Sequence, residues 1–131
     1  MIVLKSMSET VDPAKDGLRV LAERHRGRGK DQDRYDVWMA NLGPSEGLSR
    51  DWAEGELDLD GFLKKYREEL LLGGEIDQRN GTVKNHGQKF TLRLLRELGC
   101  RQEVTLLGHG RVGDGASHLE ALREMIEQSG P

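Results

Sequence analysis

The sequence predicts an α/β fold: one compact domain over residues 1–131, with a small, mainly parallel or mixed sheet covered by helices. Three observations carry this reading. Residues 103–107, Glu-Val-Thr-Leu-Leu, are short, β-branched and apolar, as a strand buried on both faces is. Leu59, Phe62, Leu63, Tyr66 and Leu70 fall on one face of a helix. Segments of the two kinds alternate along the chain, separated by glycine- and proline-containing turns.

Taken in order, residues 2–7 are apolar without helical spacing and residues 18–22 form a second short apolar run, so both read as strands. The stretch between them contains Pro13 and an Asp16-Gly17 pair and reads as a loop. Residues 24–30, Arg-His-Arg-Gly-Arg-Gly-Lys, are too polar and glycine-rich for an element interior and read as an exposed basic loop. Residues 35–42 fit a strand through Tyr35, Val37 and Met39 and a helix through Trp38 and Leu42; the extended reading is preferred. Pro44 pushes Gly43 out of the helical region, and Ser45 then caps a short helix carrying Leu48 and Trp52.

Asp58 is the expected N-cap of the Leu59 to Leu70 helix, which Gly73-Gly74 stops; residues 75–81 have the composition of a surface loop. From Thr82 a further helix places Val83, Phe90, Leu94 and Leu98 on one side and ends at Gly99. After the 103–107 strand comes a glycine-rich corner. Ser117 and Glu120 then form a capping box ahead of a last helix with Leu119, Leu122, Met125 and Ile126 inside. Trp38, Trp52, Phe62, Tyr66 and Phe90 are assigned to the core, where large aromatic side chains usually lie.

Charged residues make up 33% of the chain but the net charge is only −3, so no global charge selects for nucleic acid or an anionic membrane, and any preference must be local. The lone Cys100 has no partner for an intramolecular bridge, which fits a reduced, cytoplasmic protein. No apolar stretch is long enough for a spanning helix, so no membrane partner is expected. His25, His86, His109 and His118 are scattered and no metal-ligand spacing occurs, so neither a metal nor a cofactor is expected.

The corner after the last strand, Gly108-His109-Gly110-Arg111-Val112-Gly113, has glycines at dinucleotide-fingerprint spacing. That fingerprint needs a second strand with an acidic residue, and only one helix follows here. The general chemistry is what remains: a strand-to-helix turn, two histidines and Arg111 make an anion-friendly corner. The basic loop offers a second such segment, since guanidinium groups grip phosphate or carboxylate through paired hydrogen bonds.

Residues 19–24 (Arg-Val-Leu-Ala-Glu-Arg), Arg28-Gly29, Asp36-x-Trp38, Leu42-Gly43-Pro44-Ser45 and Phe62-x-x-x-Tyr66-x-x-Glu69-Leu70 occur in the order of the domain-of-unknown-function 488 family, which the chain resembles. Val104-Thr105-Leu106-Leu107 and His118 match the last part of that pattern. Gly27 replaces the proline of the family's Pro-Arg-Gly loop, Gly108-His109-Gly110 stands where longer relatives carry cysteines, and residues 75–88 look like an insertion. The resemblance implies a compact α/β fold and makes Arg24, Arg28, Asp36, Ser45 and His118 candidate site residues.

The two lines of reasoning meet in one expectation: a small phosphorylated or otherwise anionic ligand, a nucleotide among them, bound between the basic loop and the glycine-rich corner. Arg24 and Arg28 would clamp charge on one wall and Arg111 with the N–H groups of the helix start would form the other, with His109 or His118 able to serve as acid or base. The alternative is a nucleic-acid or protein interaction module that uses residues 24–30. Whether the chain is an enzyme is left open, as is its oligomeric state.

Overall fold

The computed structural model describes residues 1–26, 33–73, 86–110 and 118–130. Arg28, Thr82, Val83, Arg111 and Ser117, on which parts of the sequence reading rest, lie outside them. The architecture is a parallel sheet of four strands in the order β1-β4-β2-β3, built from β1 (Ile2–Ser6), β2 (Leu18–Leu21), β3 (Val37–Trp38) and β4 (Val104–Gly108). The last strand thus inserts between the first two. It pairs with β1 from Ile2↔Val104 to Ser6↔Gly108 and with β2 from Leu18↔Val104 to Leu21↔Leu107. Every residue of β4 is buried, as its apolar, β-branched composition demands of a central parallel strand.

Alternation divides the side chains between two faces. Ile2, Leu4, Leu18, Val20, Ala22, Val37, Val104 and Leu106 join the main core, which is filled from α2 (Glu46–Ala53), α3 (Leu59–Leu72), α4 (Lys89–Arg101) and α5 (His118–Glu127). Met7, Leu21 and Leu107 face the other way and pack with Tyr35 and Trp38. That second face also carries polar ties: Lys5 pairs with Asp16 at 2.9 Å, and Thr105 Oγ1 donates to Asp16 O at 2.7 Å.

The helices begin where the caps direct. Asp58 accepts from Gly61 N at 2.7 Å and starts α3, whose Phe62, Tyr66 and Leu70 are buried. Ser45 accepts from Leu48 N at 3.3 Å and starts α2. Trp52 stacks on Phe62 with ring centroids 4.4 Å apart, Phe62 stacks on Tyr66, and the Tyr66 ring meets the edge of His118 at 5.5 Å. This aromatic column leads from α2 through α3 to the first residue of α5.

Four expectations are corrected. Residues 13–16 form a short helix, α1 (Pro13–Asp16), where a loop was expected, because Pro13 suits the first helical position and Asp12 caps Ala14 N at 3.2 Å. Residues 35–42 are neither wholly strand nor helix: the two-residue β3 is followed by a 3-10 turn at Ala40–Leu42. The inner face of α4 is Leu92, Leu95 and Gly99, so Phe90 is 80% exposed instead of filling the core, and Leu94 is also exposed. Both faces of that helix carry leucines at helical spacing, and packing against the sheet selects one. Finally, α4 runs past Gly99 to Arg101 and is capped at Gln102.

Candidate functional site

In a parallel sheet the carboxyl ends of the strands open onto a shared crevice, deepest where neighbouring strands send their connections in opposite directions. Here that place lies between β2, whose chain continues towards the outer β3, and β4, whose chain continues into α5 beneath β1 and β4. Beyond β2 come Ala22, Glu23, Arg24 and His25; beyond β4 come His109 and Gly110. The two ends touch. His109 Nε2 bonds to His25 O at 2.8 Å, His109 N donates to Glu23 Oε1 at 3.4 Å, and His118 Nε2 lies 2.7 Å from Ala22 O and 3.3 Å from Glu23 Oε1. A carbonyl oxygen only accepts, so Nε2 of both histidines carries the proton.

Glu23 is the residue on which this geometry converges. Its backbone carbonyl accepts Trp38 Nε1–H at 2.7 Å. A Cβ at Gly43 would stand 2.6 Å from Arg24 N and 2.8 Å from the Glu23 Cα, and one at Gly108 would stand 3.1 Å from Glu23 Oε1. Glycines on both sides therefore admit the Glu23-Arg24 backbone and the Glu23 carboxylate to places that a side chain would fill.

Arg24 is 3% exposed and serves this frame. Its Nη1 donates to Asn41 Oδ1 at 3.0 Å and its Nη2 to Gly43 O at 3.1 Å. Tyr66 holds the same segment from below, donating to Leu42 O at 2.5 Å. Burial, with Glu23 and Glu69 nearby, raises the Tyr66 phenol well above its ordinary pKa, so it remains a donor throughout the neutral range. Ser45 is buried and bound to Glu69 through both its N (3.0 Å) and its Oγ (2.5 Å), beside a separate cleft of about 370 Å³ between α2 and α3.

The end of β2 opens, towards α2, into a cleft of about 330 Å³ lined by Glu23, Arg24, His25, Pro44, Glu46, Ser49 and Arg50. His25 Nε2 lies 3.5 Å from Glu46 Oε1 across it. Arg26 sits over the Trp38 ring, 5.1 Å from its centroid.

Of the residues singled out in the sequence, the structure brings Arg24, His109 and His118 together and sets Ser45 against the same framework. It does not bring Asp36 there. That carboxylate lies at the start of β3, where it accepts from Arg19 N at 2.8 Å and from Arg19 Nη2 at 3.2 Å. The Arg19 side chain, followed by the Arg19 backbone N–H, holds it below the usual aspartate range. Its ion pair is thus with Arg19, the residue beside it on the neighbouring strand, and joins two strands instead of facing the crevice. Arg28 and Arg111 lie outside the described residues.

Sequence reasoning missed Glu23, Asn41 and the two glycines. The signal for Glu23 is its place beside Arg24 at the end of a strand. Among the described residues no group of three His, Cys, Asp or Glu side chains is placed to hold a metal ion, and no helix is long and apolar enough to cross a membrane.

No curated protein and no solved structure matches the chain. A family model described as the Active DUF488-N3 subclade matches residues 2–130, so the chain belongs to the DUF488 family.

Proposed function

We propose that the crevice at the carboxyl ends of β2 and β4 binds a small phosphorylated or otherwise anionic ligand, a nucleotide being one candidate, in a reducing cytoplasmic setting that suits the exposed thiol of Cys100. The observation that carries this reading is the meeting of the two strand ends: His109 reaches His25 O and His118 reaches Ala22 O beside an open cleft that also presents His25 and Arg50. Exposed cationic and N–H groups there supply charge for an anion. Arg24 contributes as part of the frame, since its guanidinium is spent on Asn41 and Gly43. The histidines place their Nε2 protons on main-chain carbonyls, which favours binding and positioning over proton transfer through those atoms.

The test is a thermal-shift screen of the whole chain against inorganic phosphate, phosphate esters, nucleotides, small carboxylates and a short mixed oligonucleotide, repeated with a His25→Ala, Arg50→Ala double variant. A saturable rise in Tm with a small anion, lost in the variant, is expected. A rise with the oligonucleotide alone, steeply weakened by salt, would instead indicate an interaction surface for nucleic acid.

A further inference from the structure

The cleft that would take the anion is not uniformly positive. Glu23 and Glu46 line it together with Arg24, His25, Ser49 and Arg50. A phosphate placed against Glu23 would meet like charge in a partly enclosed space, where repulsion is poorly screened. An anionic ligand seated here must therefore be two-sided, with its charge towards the cations and a hydrogen-bond donor towards the carboxylates.

The donor's chemistry follows from what each carboxylate already has. Glu23 Oε1 faces His118 Nε2 at 3.3 Å and the His109 N–H at 3.4 Å, and Glu46 Oε1 faces His25 Nε2 at 3.5 Å. Each acid thus has an imidazole beside it. A carboxylate offers about four acceptor positions, so the Glu23 carboxylate can accept further hydrogen bonds beside these contacts. Neutral hydroxyl groups use that capacity without adding charge. The position agrees with a general feature of doubly wound sheets, in which an acidic side chain at a strand's carboxyl end takes the hydroxyls of a ribose while the phosphate lies by a glycine-containing turn. Here the acid follows β2, as there, whereas the phosphate-facing groups that line the same cleft are His25, close along the chain, and Arg50 of α2, not the turn after β4.

We infer that the ligand is a phosphorylated sugar, nucleotides included, and that Glu23 is the residue that accepts its hydroxyl groups, while His25 and Arg50 face its phosphate. This rests on the anion-binding reading of the same crevice. Glu23 acts as a ligand-contacting residue, held in place by His118, the His109 N–H, Gly43 and Gly108.

Isothermal titration of the intact chain with ribose 5-phosphate, adenosine 5′-monophosphate, phenyl phosphate and phosphoethanolamine tests this, in wild type and in Glu23→Gln. Both sugar phosphates should bind about tenfold or more tighter than phenyl phosphate, the scale of one hydrogen bond to a charged group. Glu23→Gln should erase that preference and leave phenyl phosphate bound at least as well as before. Tightest binding of phosphoethanolamine would overturn the inference, because Glu23 would then be pairing with a cation. Equal binding of phenyl phosphate and ribose 5-phosphate, or a preference that survives in Glu23→Gln, would overturn it while leaving the anion site standing. If no phosphate ester binds, the sugar-phosphate inference falls, and the anion-binding reading then stands or falls with the inorganic phosphate and small carboxylates of the thermal-shift screen. Should Glu23→Gln not fold, the wild-type ratio of ribose 5-phosphate to phenyl phosphate decides alone.

Discussion

Glu23 and Arg24 are neighbours in sequence with opposite duties. The arginine is buried and ties the 41–43 segment to the end of β2, while the glutamate lines the cleft and turns its carboxylate to His109 and His118. The close approach of Gly43 to the backbone of both makes a direct prediction. In Gly43→Ala the new Cβ would lie 2.6 Å from Arg24 N, a backbone atom that cannot swing aside. Overpacking of this kind costs about 1–3 kcal/mol, so urea denaturation should show a loss of that size, with weakened ligand stabilisation because the Glu23 backbone must move. Unchanged stability would mean that the approach is not a constraint. The arginine's long apolar stem and planar head suit such a buried role, which is why a motif arginine read as a charge clamp proves to be an anchor.

At the scale of elements, α4 separates what periodicity can and cannot establish. Phe90, Leu94 and Leu98 make one stripe; Leu92, Leu95 and Gly99 make another. The second faces the sheet and the first is largely exposed, with only Leu98 packed on the core. Phe90→Ser should therefore change stability by no more than about 0.5 kcal/mol. Leu95→Ala should cost about 2–5 kcal/mol, because Leu95 is fully buried and its loss leaves a cavity. Thermal unfolding of the two variants side by side checks the assignment, and a reversed order would return Phe90 to the core. By contrast α3 was legible down to its cap, since its apolar residues make a single stripe and Asp58 marks where it starts.

Across the whole molecule, the late strand β4 is the centre of the fold: it pairs on both sides, and α4 and α5 pack against it. Bringing the ends of the chain together in this way makes β1 and β2 neighbours only through a strand about a hundred residues further on. Native-state hydrogen exchange should accordingly find the amides of residues 104–107 among the slowest, opening only with global unfolding, and those of the two-residue β3 faster. Faster exchange in β4 than in β3 would contradict this order. The same insertion creates the crevice, because it sets the end of β2 against the corner that follows β4.

The sequence by itself determined the class of fold, three strands read at 2–7, 18–22 and 103–107 and found within a residue of those bounds, the caps at Ser45 and Asp58, and the family, because these depend on local spacing, turn chemistry and motif order. It also pointed to Arg24, His109 and His118. Only the tertiary structure decided the strand order, the inner face of α4, the removal of Asp36 to Arg19, and the central place of Glu23. Each of these depends on contacts between residues far apart in the chain. The Glu23 carboxylate meets His109 and His118 across 86 and 95 positions of sequence, a juxtaposition that no local pattern encodes.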